Sequence, residues 1–162
     1  MLCYNLFGEY IYMKFDIINK ISIKELNEMF SILKENYAFL YNITDKDYLK
    51  WTQNILNSND INTYILKEKN KIIAYIQFII DHDYICISEI QISKLYQGNK
   101  KTLKKLLNDF ISLVKIEDNT IIYININPNN IKSIKVFEHY GFKLVQNNRY
   151  EILGNDLIKN LL

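Results

Sequence analysis

The sequence predicts an α/β fold, a mixed and mostly antiparallel central sheet flanked by helices. Three observations predict it. Apolar residues at helical spacing occupy two stretches within residues 22–57. Three alternating apolar runs, separated only by short polar turns, then fill residues 61–93. A helix, a strand, a short helix and further strand patterns complete the chain. With 162 residues and a hydrophobic fraction of 49%, there is enough apolar material for one core and too little for two. One domain over residues 1–162 is therefore expected, with its core over about 11–162 and residues 1–10 as an extension.

Residues 11–18 alternate weakly and predict a first strand, with "KFDII" after Met13 as its centre. In "ISIKELNEMFSILKEN", Ile23, Leu26, Met29, Phe30 and Leu33 fall on one helical face. Ser22 and Glu25 have the spacing of a capping box. "DKDYLKWTQNILN" predicts a second helix, capped by Thr44 or Asp45, with Tyr48, Trp51, Ile55 and Leu56 on one side. Trp51 reads as an anchor to a sheet rather than a ligand platform.

The segment "INTYILKEKNKIIAYIQFIIDHDYICISEIQIS" predicts three antiparallel strands joined by turns at residues 68–70 and 81–83. His82 falls in the second turn and reads as a loop residue rather than a base. In the third strand Ile85 and Ile87 share a face, and strict alternation would add Glu89. The apolar phase jumps instead to Ile90 and Ile92. A strand has period two, so the jump predicts an extra residue, a β-bulge between Ser88 and Ile90.

"KLYQGNKKTLKKLLNDFISLVKI" carries an apolar stripe of Leu103, Leu106, Leu107, Phe110, Ile111 and Val114. Its helix starts near Asn99–Lys101, straight after a turn holding Gly98. Free amides and the positive end of the helix dipole are thus aimed past the end of the strand. Lys104 and Lys105 read as a solvated face, whereas the turn with Lys100 and Lys101 is suited to an anion. A strand through Tyr123, Ile124 and Ile126 follows, parallel to the third because a full helix intervenes. Pro128 ends it, Asn130 caps a short helix with Ile134 and Phe137 on its apolar side, and Gly141 stops that helix. Phe142 opens a strand to Val145, and a last strand is expected around Leu157–Leu161.

Composition narrows the function further. The net charge of +2 is weak, and Arg149, the single arginine, is the one candidate for bidentate phosphate recognition. Cys3 and Cys86 are too few for a disulfide framework and lack metal-ligand spacing, so a reducing compartment and no metal are expected. The amino-terminal stretch lacks the basic start of a signal peptide, and no segment has the length and apolarity of a membrane span. A cytoplasmic protein is the expectation.

Two segments carry a family resemblance. "ISKLYQGNKKT" is similar to the pyrophosphate loop of the GNAT superfamily of acyl-CoA-dependent N-acyltransferases, a Gln/Arg-x-x-Gly-x-Gly/Ala pattern. Gln97 matches its first position, while Lys100 and Thr102 stand where small residues are usual. "NIKSIKVFEHYGFK" resembles the family's Asn-x-x-Ala…Tyr-Glu-x-x-Gly-Phe ending, through Asn130, Ser133, Glu138, Gly141 and Phe142. Phe137 occupies the place of a frequent tyrosine. The element order resembles the family over residues 11–162, and the resemblance gives the phase jump at Glu89 a meaning. It implies a bulged strand splayed from its parallel neighbour at the centre of the sheet, with Ile90, Gln91 and Ile92 along the pantetheine arm. It further implies acetyl-CoA as cosubstrate, held by Gln97, Gly98, Asn99, Lys100, Lys101 and Thr102, with Asn130, Ser133 and Phe137 beside it.

Acetyl transfer to an amine needs a neutral nucleophile, an oriented carbonyl and a proton for the departing thiolate. Glu89 is the candidate base, or a carboxylate that only orients substrate. For the acid, Phe137 has no proton to give. Tyr140 takes that place, with Tyr123 on the adjoining strand as an alternative, while His139 faces elsewhere. The expected activity is N-acetylation of a primary amine on a small molecule, protein or peptide, in a monomer or homodimer without a membrane partner. The alternatives are a toxin-like acetyltransferase acting on aminoacyl-tRNA and a non-catalytic acyl-CoA-binding module. Transfer RNA demands a continuous basic surface, which lysines interleaved with carboxylates do not supply.

Overall fold

A computed structural model of the chain describes residues 2–4, 10–12, 21–38 and 43–162. Strands β1 (Leu2–Tyr4) and β2 (Tyr10–Tyr12) pair antiparallel in a small two-stranded sheet. The strand expected over residues 11–18 otherwise lies outside the described residues.

Both early helices begin as their caps dictate. In α1 (Ile23–Tyr37) the Ser22 hydroxyl accepts from the Glu25 amide, and the Glu25 carboxylate accepts from the Ser22 amide at 2.8 Å. Thr44 and Asp47 repeat that reciprocal arrangement at the start of α2 (Asp45–Asn57). Lys67 reaches Glu25 at 2.6 Å and ties the start of α1 to the sheet.

The meander forms as expected: β3 (Asn62–Glu68), β4 (Lys71–Asp81) and β5 (Tyr84–Ile92) are consecutive antiparallel neighbours. Lys69 and Asn70 both adopt positive φ, the geometry of a tight hairpin turn. After a short 3-10 turn (Lys94–Tyr96), α3 (Lys100–Val114) crosses to β6 (Ile121–Asn125), which pairs parallel to β5. Then follow α4 (Ile131–His139), β7 (Lys143–Gln146), β8 (Arg149–Leu153) and α5 (Gly154–Leu161). The sheet order is β3-β4-β5-β6-β8-β7.

The closing segment corrects one expectation. Leu157–Leu161 is helical, and the last strand is β8, where Tyr150 and Ile152 alternate inward. Gly154 turns the chain, its amide donating to the Thr120 carbonyl at 2.8 Å. Leu157 and Leu161 are one helical turn apart and both buried, with α5 packed on α3. Strand alternation would have placed Lys159 on the same face as the two leucines.

The sheet separates two apolar clusters. Phe78, Ile85, Ile87 and Ile122 face Leu106, Leu107, Phe110, Phe137 and Leu157 on one side. On the other, Met29 and Ile32 pack on Ile65, Ile72 and Tyr75, with Trp51 at the margin.

Gly141 has a twofold reason. Its φ of +93° is left-handed, and an added Cβ would lie 2.3 Å from Asn160 Nδ2. Its amide donates to the Glu138 carbonyl at 2.9 Å, and that of Phe142 to the Phe137 carbonyl at 3.1 Å. These two bonds form a Schellman motif, completed by edge-to-face contact of Phe137 and Phe142 at 5.2 Å.

Candidate active site

The register at the centre of the sheet positions the site. Gln77 pairs with Glu89 and Phe78 with Ile87, so Ser88 is the extra residue in β5. This is the bulge that the apolar phase jump predicts. It lets Ile85, Ile87, Ile90 and Ile92 all serve the α3 side, and it turns Glu89 to the face of Cys86, with α1 and α2.

The bulge also ends a ladder. β5 and β6 pair from Tyr84↔Ile121 to Ile87↔Ile124, although β5 continues to Ile92. Beyond Ile87 the two strands part, and backbone on both edges is left for another occupant.

Glu89 stands beside this opening, half-buried. Tyr75, fully buried on β4, donates its hydroxyl to Glu89 Oε1, and Trp51 Nε1 lies 3.4 Å from Oε2. Burial raises the carboxyl above its ordinary range, and the bonds from Tyr75, Trp51 and Gln91 only partly offset this. The Tyr75 hydroxyl is itself pushed well up by burial and by the carboxylate, so it remains a donor. A carboxylate set this way is more basic than one in water. Trp51 thus anchors α2 to the sheet and touches the site as well.

Along β4, Tyr75, Gln77, Ile79 and Asp81 share the Glu89 face. There Ile79, Asp81, Tyr84, Cys86, Tyr123 and Arg149 line a cavity of about 360 Å³. Arg149 lies 3.8 Å above the Tyr123 ring and pairs through Nε with Glu151 at 2.6 Å. The single arginine therefore stands on β8, away from the start of α3 where a diphosphate is expected.

The expected cofactor loop is the turn that opens α3. Gly98 has φ +81°, and a Cβ added there would meet nothing within 4 Å, so its role is conformational. Four amides already have partners: Gln97 to Lys94 O, Asn99 to Tyr96 O, Lys101 to Asn99 Oδ1 and Thr102 to Asn99 O. Those of Gly98 and Lys100 have none among the described residues. Lys100 and Lys101 are exposed, whereas Thr102 is buried, which explains the demand for a small residue there. Asn130 caps α4 by accepting from the Ser133 amide at 3.2 Å.

Not every candidate converges. Phe137 and Tyr140 belong to the cluster on the α3 side of the sheet, opposite Glu89. Burial raises the Tyr140 hydroxyl and keeps its proton on. His82 is exposed in its turn beside Asp81. Tyr75 and Asn36, which sequence reasoning missed, do reach the site. A tyrosine within an apolar alternation reads as core, and nothing near the end of α1 marks Asn36.

A model of the acetyltransferase (GNAT) family matches residues 26–142. The chain belongs to that family. Membership makes it an acetyl-CoA-dependent acetyltransferase acting on an amine. Solved structures share the fold. An acetyltransferase from Thermus thermophilus superposes with a TM-score of 0.67 at 16% identity, covering 82% of this chain and 93% of that one. The PaiA N-acetyltransferase of Thermoplasma acidophilum, in complex with coenzyme A, gives 0.62 at 19% identity, over 82% and 93% of the two chains. The ribosomal-protein-S18-alanine N-acetyltransferase of Escherichia coli gives 0.59 at 17%, over 81% and 85%. No curated protein matches the chain significantly. Within this GNAT fold, the splay between β5 and β6 and the open amides of Gly98 and Lys100 fit an extended thioester with a diphosphate at one end. Among the described residues, no helix is long and apolar enough to cross a membrane.

Proposed function

We propose that the acceptor is a primary amine of a small molecule, protein or peptide, entering on the Glu89 face of the sheet, and that Glu89 is its general base. The observation that carries this reading is the bulge at Ser88, which turns the Glu89 carboxylate to the open face where β5 and β6 part. Acetyl-CoA, when bound, supplies an activated acyl thioester. The Gly98 and Lys100 amides hold its diphosphate, with Lys100 and Lys101 adding charge. Gln97, Asn99 and Thr102 shape that turn, and Ile90, Gln91 and Ile92 edge the pantetheine channel. Asn130, Ser133 and Phe137 set the helix on its far side.

The ammonium form of an amine is not a nucleophile, so a proton must leave before attack. Glu89 takes it, and its raised affinity for protons narrows the gap to the amine. The edge of β5 beyond Ile87, where its ladder with β6 ends, offers backbone donors to charge developing on the carbonyl oxygen. With Tyr140 on the opposite face of the sheet and its hydroxyl less acidic than usual, the departing thiolate, a good leaving group, takes its proton from solvent. The cavity beside Tyr123 and Arg149 accommodates the remainder of the acceptor.

Thiol release from acetyl-CoA, screened across small amines, peptides and aminoacyl-tRNA, tests the reading. Turnover with an amine or peptide supports it. Turnover confined to aminoacyl-tRNA, or CoA binding without any turnover, would replace it.

A further inference from the structure

Three side-chain amides connect the start of α3 to Glu89, and all are oriented the same way. Gln97 Nε2 donates to Asn36 Oδ1 at 2.6 Å. Asn36 Nδ2 donates to Gln91 Oε1 at 2.8 Å and to the Ile92 carbonyl at 3.0 Å. The buried Gln91 stands two residues beyond Glu89 on the same face of β5, and its amide favours the ionised carboxylate. At the outer end, Lys132 Nζ lies 3.5 Å from Gln97 Oε1.

The ends fix the direction. An ionised carboxylate only accepts, so Gln91 must turn its nitrogen toward Glu89 and its oxygen toward Asn36. Asn36 must then present its oxygen to Gln97, and Gln97 its oxygen to Lys132. A cation at one end and an anion at the other polarise every amide between them in the same sense. The chain spans α4, the turn before α3, α1 and β5, elements that no backbone ladder joins at this point.

We infer that Gln97, Asn36 and Gln91 form a polarised relay that couples the cofactor turn to Glu89, with Asn36 and Gln91 as positioning residues for the base. The inference rests on the reading of Glu89 as base and of the Gln97 turn as the cofactor's. It gives Gln97 a task beyond the diphosphate: its side chain points into the protein, donating to Asn36 and to the Ile92 carbonyl at 3.0 Å. Asn36 is the joint, because it bonds both Gln97 and Gln91 and has no hydrogen bond to Glu89 itself.

The sole tryptophan offers a readout that needs no acceptor. Trp51 Nε1 touches Glu89, so Trp51 fluorescence follows ionisation of the carboxyl. The titratable group facing Glu89 is Tyr75 from β4, with Tyr37 of α1 behind it, while α2 presents the neutral indole. Tyr75 is pushed well above its ordinary range and keeps its proton there, which leaves Glu89 as the titrating group of this cluster. The measurement is a fluorescence titration of the full chain from about pH 4 to 9, with Glu89→Gln identifying the transition by its loss. Asn36→Leu should raise the midpoint by about one pH unit, since the charged form loses a polarised donor. Gln97→Leu, at an exposed position that does not endanger folding, should raise it by a smaller step. Midpoints within about 0.2 units of the parent in both variants would overturn the relay, because a hydrogen-bonded link to a charged group moves a pKa by more. The rate of Glu89→Gln separates the two ideas: a parental rate removes the base and with it the positioning role of Asn36 and Gln91, while the midpoint shifts report the coupling to the carboxyl by themselves.

Discussion

Trp51 and Glu89 meet between α2 and β5, the indole Nε1 lying 3.4 Å from Glu89 Oε2 while Tyr75 donates to the other oxygen. Tyr75, Trp51 and Gln91 all favour the carboxylate, yet burial prevails and the carboxyl is raised. A raised carboxyl binds its proton more tightly in the folded state than in the unfolded one. Its contribution to stability is therefore complete below the unfolded value and is lost as pH rises through the folded one. Glu89→Gln, which cannot ionise, should melt at a higher temperature than the parent at pH 8. The difference should vanish near pH 4, and thermal denaturation at the two pH values checks it.

Glu25 carries the opposite sign. Bonds from Lys67 and then from the Ser22 side chain and backbone lower its carboxyl to about 2 from an ordinary 4.5. Its contribution is present above 4.5 and is lost as pH falls toward 2. Glu25→Gln should cost about 1 kcal/mol at neutral pH, the usual scale of a cap interaction. Urea unfolding should show the gap between variant and parent narrowing at about pH 3.

Gly141→Ala should destabilise by at least about 1–2 kcal/mol from backbone conformation alone. Its Cβ also enters the space of the Asn160 amide, which donates to the Tyr140 carbonyl at 3.0 Å. Urea denaturation measures the loss, and a parental midpoint would contradict the Schellman account of this turn.

Gly98→Val separates conformation from crowding. No atom lies within 4 Å of the added Cβ, so the free protein meets only the backbone cost of φ +81°. A bound diphosphate would lose access to the neighbouring amides. CoA affinity should fall by about tenfold or more, as for one charge-assisted hydrogen bond. Isothermal titration with CoA is the measurement, and an unchanged Kd would place the diphosphate elsewhere.

Much of this architecture is legible in the sequence because local chemistry sets it. Ser22 and Glu25 announce α1, and Asn130 and Gly141 bracket α4, through bonds made within a few residues. The jump from Ile87 to Ile90 reveals the bulge, since a buried face tolerates no change of phase without an extra residue. The Leu157–Leu161 segment is misread as a strand because β8 directly precedes it and only the four-residue leucine spacing marks the helix. The surroundings of Glu89 are not legible. Tyr75 sits within an apolar strand, Asn36 and Gln97 are 61 positions apart, and their hydrogen bond exists only once the helix and the turn are folded together.

The most direct test of the account is the pH–rate profile of Glu89→Gln beside the parent, using an amine acceptor found by thiol release. Loss of a general base should lower the rate by about 10- to 1000-fold near neutral pH, with CoA affinity little changed. Part of that loss should return at high pH, where more of the amine is already neutral. A Glu89→Gln protein that keeps parental rates across the whole profile would show that Glu89 does not take the proton, and the central claim would fall.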